Sequence, residues 1–262
     1  MLKLYHANIS TCSQKVRLAL AEKGVDFESQ VLNLRSGDQY EQDYRKLNPK
    51  AVVPTLVHDD QVIIESTVIN EYVDDAFPGP ALKPENPVDR AKMRLWTKQV
   101  DEELHAAIVI LSFCIAFRLD FLLKTEAEMT GFYTMMKNPV KEKFYRSAIA
   151  NGLEHEGFEQ AVKRYVKLLD DMDAVLENQG WLAGSYISLA DIALVPYILR
   201  LDHLGMAGMW KGKSNLADWY DRMKQRQAWQ TAIVDWFVAP AVEGMNRAGG
   251  VAWPKVREIL AA

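Results

Sequence analysis

The chain has 262 residues, enough for one large domain or two modest ones. Apolar residues are 49% and charged residues 25%, with a formal net charge of −4 and both signs interspersed, as in a soluble globular protein. No run of five or more basic residues occurs, which argues against nucleic-acid binding.

In chain order, "LKLYHA" reads as a short strand from its β-branched and aromatic content. Cys12 to Lys23 has Val16, Leu18, Ala19 and Leu20 at helical spacing, and Gly24 stops it. "DFESQVLNL" reads as a second strand and "DQYEQDYRKLNP" as a polar helical or irregular piece. "VVPTLVHDDQVIIES" is two strands around an Asp-Asp turn, and "ESTVINEYVDDAF" returns to helical spacing. This β-α-β-α-β-β-α order carries no glycine-rich phosphate loop and suits a small sheet with helices on both faces. "FPGPALKPENP" then places four prolines in eleven residues, which marks a linker.

After the linker the pattern is helical almost to the end. Asp89–Phe117 is long and periodic, and its apolar part, Ala106–Phe117, is too short to span a bilayer and reads as a buried helix core. Phe158, Val162, Tyr165, Leu168, Leu169 and Met172 form one stripe of a further helix. "SLADIALVPYILRLDHLG" and "NLADWYDRMKQRQAWQTAI" follow. The expected division is an α/β domain over 1–78, a linker over 79–87 and an all-helical domain over 88–262. The opening "MLKLYHAN" has no long apolar core, and Cys12 and Cys114 make no disulfide framework. The expectation is a reducing cytoplasm with both thiols free.

Four short motifs carry chemistry. In "NISTCSQKVRLALAEKG" three hydroxyls, Ser10, Thr11 and Ser13, surround Cys12 where a strand gives way to a helix: a polar cap beside a small thiol, or a site for handling sulfur. At Val53–Pro54 a proline enters a strand, either as an ordinary edge residue or with a cis bond that turns the Val53 backbone outward to an extended ligand. Glu65–Ser66 opens a helix whose first N–H groups suit a carboxylate, with plain capping as the alternative. Ser188 to Asp191 is a capping box with Ile187 and Ile192 placed for a hydrophobic staple, a structural device whose loss costs on the order of 1 kcal/mol or more.

Taken together, "STCSQKVRLALAEKG … LNPKAVVPTL … IIESTVINEYV … WLAGSYISLADIALVPY" resembles a cytosolic glutathione transferase over most of the chain, weakening at 118–157 and in the tail. The resemblance implies a thioredoxin-like N-terminal domain, an all-helical C-terminal domain and a homodimer, with glutathione as co-substrate and no metal. It places Ser10 nearest the glutathione sulfur, with Thr11 and Ser13 as adjacent alternatives. A hydrogen bond to the thiolate and the positive end of the helix favour ionisation. Lowering a thiol pKa by ~2 units is worth roughly 2.7 kcal/mol. Val53 and Pro54 match the partner of the glutathione backbone, Glu65 and Ser66 match the γ-glutamyl end, and Gln39 falls where some classes bind the glycine carboxylate. Val52 departs from the polar residue often found before this Val-Pro pair.

Cys12 opens an alternative. The stretch is also similar to dehalogenases of the same family, in which such a thiol resolves a glutathione adduct; otherwise Cys12 points inward as a small core residue. Cys114 reads as packing. The second-substrate site would be lined by Ile108, Leu111, Phe113 and Phe117, with 119–157 and the aromatic tail (Trp236, Phe237, Trp253) walling it further; each of the four is otherwise helix core. An apolar cleft suits a hydrophobic aromatic electrophile. "PVDRAKMRLWTKQVDEELH" and "LADWYDRMKQR" look most like the bacterial branch that includes glutathione-dependent β-etherases, which cleave aryl ethers of lignin-derived compounds. A non-catalytic glutathione-binding protein is the remaining alternative. Nucleic-acid and membrane partners are not expected.

Overall fold

The structure is a computed structural model describing residues 1–261. Four strands, β1 (Leu2–His6), β2 (Glu28–Val31), β3 (Thr55–His58) and β4 (Gln61–Ile64), form one sheet in the order β2-β1-β3-β4. β1 runs parallel to β2 and antiparallel to β3, and β3 and β4 form the hairpin expected around Asp59. Leu4 pairs with Leu56, and both are fully buried at the centre of the sheet.

α1 (Thr11–Lys23) is buried from Thr11 to Leu20 except at Cys12, which makes it a core helix. It stops at Gly24, where φ is 67°: the Gly24 N–H bonds to Ala21 and that of Val25 to Leu20, so the last turn closes as a Schellman motif. α2 (Gln42–Leu47) and α3 (Ser66–Ala76) complete the sheet region.

From α4 (Pro87–Gln99) the chain runs through a π-helical turn, α5 (His105–Ser112), a second π-helical turn at Phe113–Phe117 and α6 (Arg118–Leu122). This run is 36 residues long and contains a window of mean hydropathy 1.9, so by length and composition it can cross a membrane. Half of the window is buried inside the protein, as in the core helix of a soluble chain. There follow α7 (Glu126–Met136), α8 (Pro139–Asn151), α9 (Phe158–Leu176), α10 (Leu189–His203), α11 (Ser214–Lys224), α12 (Gln227–Ala232) and α13 (Ala239–Ala261).

The chain groups into two compact units. The first comprises Met1–Asp101, Met172–Ile198 and Ser214–Val238; the second comprises Glu102–Asp171, Leu199–Lys213 and the chain from Ala239. In the first, the start of α10 is pinned by Asp191, whose carboxylate accepts from the N–H and Oγ of Ser188 as the capping box requires. In the second, α13 approaches the end of α10 so closely that a Cβ at Gly249 would stand 1.7 Å from the Leu204 carbonyl oxygen.

Each unit also holds a neutral histidine, His6 fully buried in the first and His203 half-buried in the second. Arg17 Nη1 donates to His6 Nδ1 (3.0 Å), so the ring proton sits on Nε2, 2.8 Å from Ser29 Oγ. Burial first, then the Arg17 charge, pushes the His6 pKa down to about 3. Burial, then Arg200, pushes His203 down to about 4. An unfolded histidine titrates near ~6.5, so below that pH the unfolded chain takes up protons the folded chain refuses. Stability is expected to fall as pH drops from about 6.5 towards 4, by about 1.4 kcal/mol per pH unit for each histidine. Denaturant midpoints at pH 7 and pH 5 check this, and equal midpoints contradict it.

Candidate active site

At the opening of α1, the Ser13 N–H donates to Ser10 Oγ (3.3 Å), and Ser10 is the N-cap. The Ser10 N–H in turn bonds to Ala7 O (3.2 Å). Ser13 is fully buried and its Oγ accepts from the Ala7 N–H (3.2 Å), so this hydroxyl fastens the strand-to-helix turn. Thr11 is buried. Ser10 is half-buried; its oxygen accepts the capping bond, which leaves its O–H proton to donate elsewhere. Cys12 is half-buried with Sγ 3.8 Å from the hydroxyl of Tyr197, a fully buried residue of α10. Cys114 lies buried in the second π-helical turn, and burial pushes its thiol up to about 12. The native protein is therefore expected to expose at most one thiol to a disulfide reagent and the denatured chain two. A second native equivalent would contradict this packing.

The Val53–Pro54 bond is cis, which resolves the two readings of this bend. Tyr44 Oη and Asn48 Nδ2 donate to the Val52 carbonyl (2.5 and 3.0 Å), and both side chains also reach Thr55 Oγ1. Burial pushes the Tyr44 phenol up to about 12, so it stays protonated. The strand ladder begins at Thr55, leaving Val53 ahead of it. Val53 is buried against Ala7 and Tyr44, with Tyr5, Leu32 and Leu34 packed around them. Ala7 thus ties the bend to the opening of α1: its side chain meets Val53 while its N–H and C=O hold Ser13 and Ser10.

Gln39 joins the same wall. Its Nε2 donates to the carbonyl of Leu34 (3.2 Å), and its Oε1 is buried with no hydrogen-bond partner among the described residues. At the opening of α3, Glu65 adopts φ 68°, ψ 111°, a conformation costly for a residue with a side chain. Its carboxylate pairs with Lys50 (2.7 Å). Ser66 is buried as the first residue of α3. Sequence reasoning missed Lys15, whose ammonium is fully buried and donates to Thr67 Oγ1 (3.1 Å); Thr67 in turn donates to Asp101 (2.8 Å). The signal available was a lysine within a helix otherwise buried all round.

The structure gathers Ser10, Thr11, Cys12, Ser13, Gln39, Val53, Pro54, Glu65 and Ser66 in the first unit. Ile108, Leu111, Phe113 and Phe117 belong to the second. Ile108 and Leu111 are buried, and Phe113 packs in an aromatic cluster, 5.6 Å from Phe117 and 4.5 Å from Tyr145 between ring centroids. Phe117, half-buried beneath the Arg200 guanidinium (5.1 Å), is the most exposed of the four. Trp236, expected to help wall the second-substrate site, lies in the first unit, 4.6 Å from the His6 ring and 5.3 Å from the Arg17 guanidinium carbon. Among the described residues no three His, Cys, Asp or Glu side chains gather as a metal site.

A four-stranded mixed sheet with a capped serine and a cis Val-Pro bend, followed by helices, is the architecture of the glutathione transferases: residues 9–76 match the profile of the glutathione S-transferase N-terminal domain and 128–227 that of the C-terminal domain, and the chain belongs to this family. Among curated proteins it is 32% identical to the tetrachloro-p-hydroquinone reductive dehalogenase of Sphingobium chlorophenolicum, over 89% of this chain and 96% of that one. It is 31% identical to the protein LigF of Sphingobium sp. strain SYK-6, over 87% and 91%. The crystal structure of the β-etherase LigF superposes with a TM-score of 0.81 at 28% identity, covering 89% of this chain and 99% of that one.

Proposed function

We propose that this glutathione transferase ionises the glutathione thiol at Ser10 and directs it at a hydrophobic aromatic electrophile, with β-aryl ethers of lignin-derived compounds as the substrate class. The observation that carries this reading is the Ser10 hydroxyl: it caps α1 through its oxygen and keeps its proton for a thiolate at the positive end of that helix. The tripeptide lies extended beside Val53 and Pro54, with its γ-glutamyl end at Glu65 and Ser66 and its glycine carboxylate near Gln39. In the reaction the thiolate sulfur bonds to the carbon bearing the ether oxygen, the C–O bond breaks, and a phenolate leaves with the electron pair. Residues 1–78 bind glutathione, and the helical chain from 88, through Ile108, Leu111, Phe113 and Phe117, lines the electrophile site. Val62, Val68 and Leu95, apolar and exposed on β4, α3 and α4, support a homodimer, working in the cytoplasm.

A second reading draws on Cys12 and the Tyr197 hydroxyl beside it, and on the likeness to the reductive dehalogenase. Here Cys12 attacks the sulfur of a glutathione–substrate adduct; an S–S bond forms, the C–S bond breaks, the substrate carbon takes a proton, and a second glutathione reduces the mixed disulfide. Cys12→Ser separates the two. With a panel of aryl ethers and chlorinated hydroquinones, the first reading expects ether cleavage by the variant at the parental rate. Loss of turnover, together with loss of a glutathione-mixed disulfide in the mass spectrum, would transfer the function to Cys12. No turnover by the parent on any of the panel would favour a glutathione-binding protein without catalysis.

A further inference from the structure

The first unit contains a cleft of ≈ 710 Å³, within the ~300–1,000 Å³ usual for small-molecule sites, and none of its lining residues is a named contact for glutathione or for the electrophile. Its walls come from the second half of α1, the chain entering β2, and the chain around α12. Two aromatic rings, Phe27 and Trp236, line it, and the Trp236 indole N–H is held by the Thr231 carbonyl (3.0 Å).

The charges in this wall are not evenly matched. Arg226 and Glu22 neutralise each other through two bonds of 2.5 and 2.6 Å. Arg17, 1% exposed, donates to the carbonyls of Ala232, Ala7 and Asn8 and to the neutral ring of His6. All four acceptors are neutral, so among the described residues this buried guanidinium has no carboxylate to balance it, an arrangement that is costly without a counter-charge. The other acid of the lining, Asp26, is exposed, where water screens it. The cleft therefore combines aromatic walls with a positive floor.

We propose that this cleft is a second small-molecule site that takes a flat aromatic carboxylate, its ring against Phe27 and Trp236 and its carboxylate turned towards Arg17. The probe is 2-naphthoate, titrated calorimetrically into the full-length protein with and without saturating S-hexylglutathione. 2-Naphthamide serves as the uncharged analogue of the same shape. Naphthoate is expected to bind in both conditions and at least about tenfold more tightly than the amide. Ala21→Phe, which fills the cleft from α1, is expected to weaken naphthoate at least about tenfold without moving the unfolding midpoint. Should that variant not fold, Trp236→Leu, which removes one aromatic wall, decides in its place with the same expectation. No binding, equal affinity for the amide, displacement by S-hexylglutathione, or full affinity in the folded variant each overturns the proposal.

Discussion

Asp191→Ala is expected to destabilise the protein by ~4–6 kcal/mol, from the loss of several buried hydrogen bonds at once. One carboxylate oxygen accepts from the Leu182 N–H (3.0 Å) and the Trp219 indole N–H (2.9 Å), the other from the N–H (2.9 Å) and hydroxyl (3.0 Å) of Ser188. All four residues are essentially inaccessible to water. Burial raises the Asp191 carboxyl pKa above the usual carboxylate range, and these donors oppose it. Alanine leaves two backbone N–H groups and an indole N–H buried without an acceptor, each costing about 1–3 kcal/mol. That is a large fraction of the ~5–15 kcal/mol of a typical domain. Asp191→Asn keeps the shape but gives an amide nitrogen where an oxygen must accept, and is expected to lose about half as much. Urea unfolding of the three proteins measures the ladder. A loss below about 1 kcal/mol for alanine would reduce Asp191 to an ordinary cap.

On the proposed function, Ser10→Ala is expected to lower kcat/KM for glutathione-dependent turnover by ~10²–10³-fold, the range seen when one donor to a developing anion is removed. The folded structure changes little, because the capping bond from Ser13 is worth only about 1 kcal/mol. Ser13→Ala should show the opposite pattern. Its hydroxyl, fully buried and bonded to the Ala7 N–H, serves the turn, so the variant is expected to lose stability while keeping the Ser10 hydroxyl in place. A Ser10→Ala enzyme with parental kcat/KM would remove Ser10 from the chemistry and bring Thr11 forward.

What could be read from the sequence was local. The cap at Ser10, the stop at Gly24, the Asp-Asp hairpin and the Ser188–Asp191 box all lie within windows of a few residues. There the hydrogen bond and the residues that make it are neighbours in the chain. The proline at 54 was legible as a special place, but its two readings stayed open until the structure gave the Val53–Pro54 bond as cis. What stayed hidden were partners distant in sequence. Tyr197 comes to Cys12 from 185 residues away, and Trp219 reaches Asp191 from 28 residues away. Periodicity also reported Trp236 as part of an apolar tail without showing that the tail folds back over Arg17 and His6. It likewise ran α11 and α12 together, whereas the helix ends at Lys224 and restarts at Gln227. Lys15 escaped notice because a lysine on a helix is usually solvated; here its ammonium is held inside by Thr67.

The most direct test of the central claim is the thiolate absorbance of glutathione bound to the parent protein, followed across pH. The bound thiol is expected to titrate about 2 units below the ~8.5 of a free thiol, and Ser10→Ala to return it most of the way. A bound glutathione that titrates like free thiol in the parent protein would contradict the account.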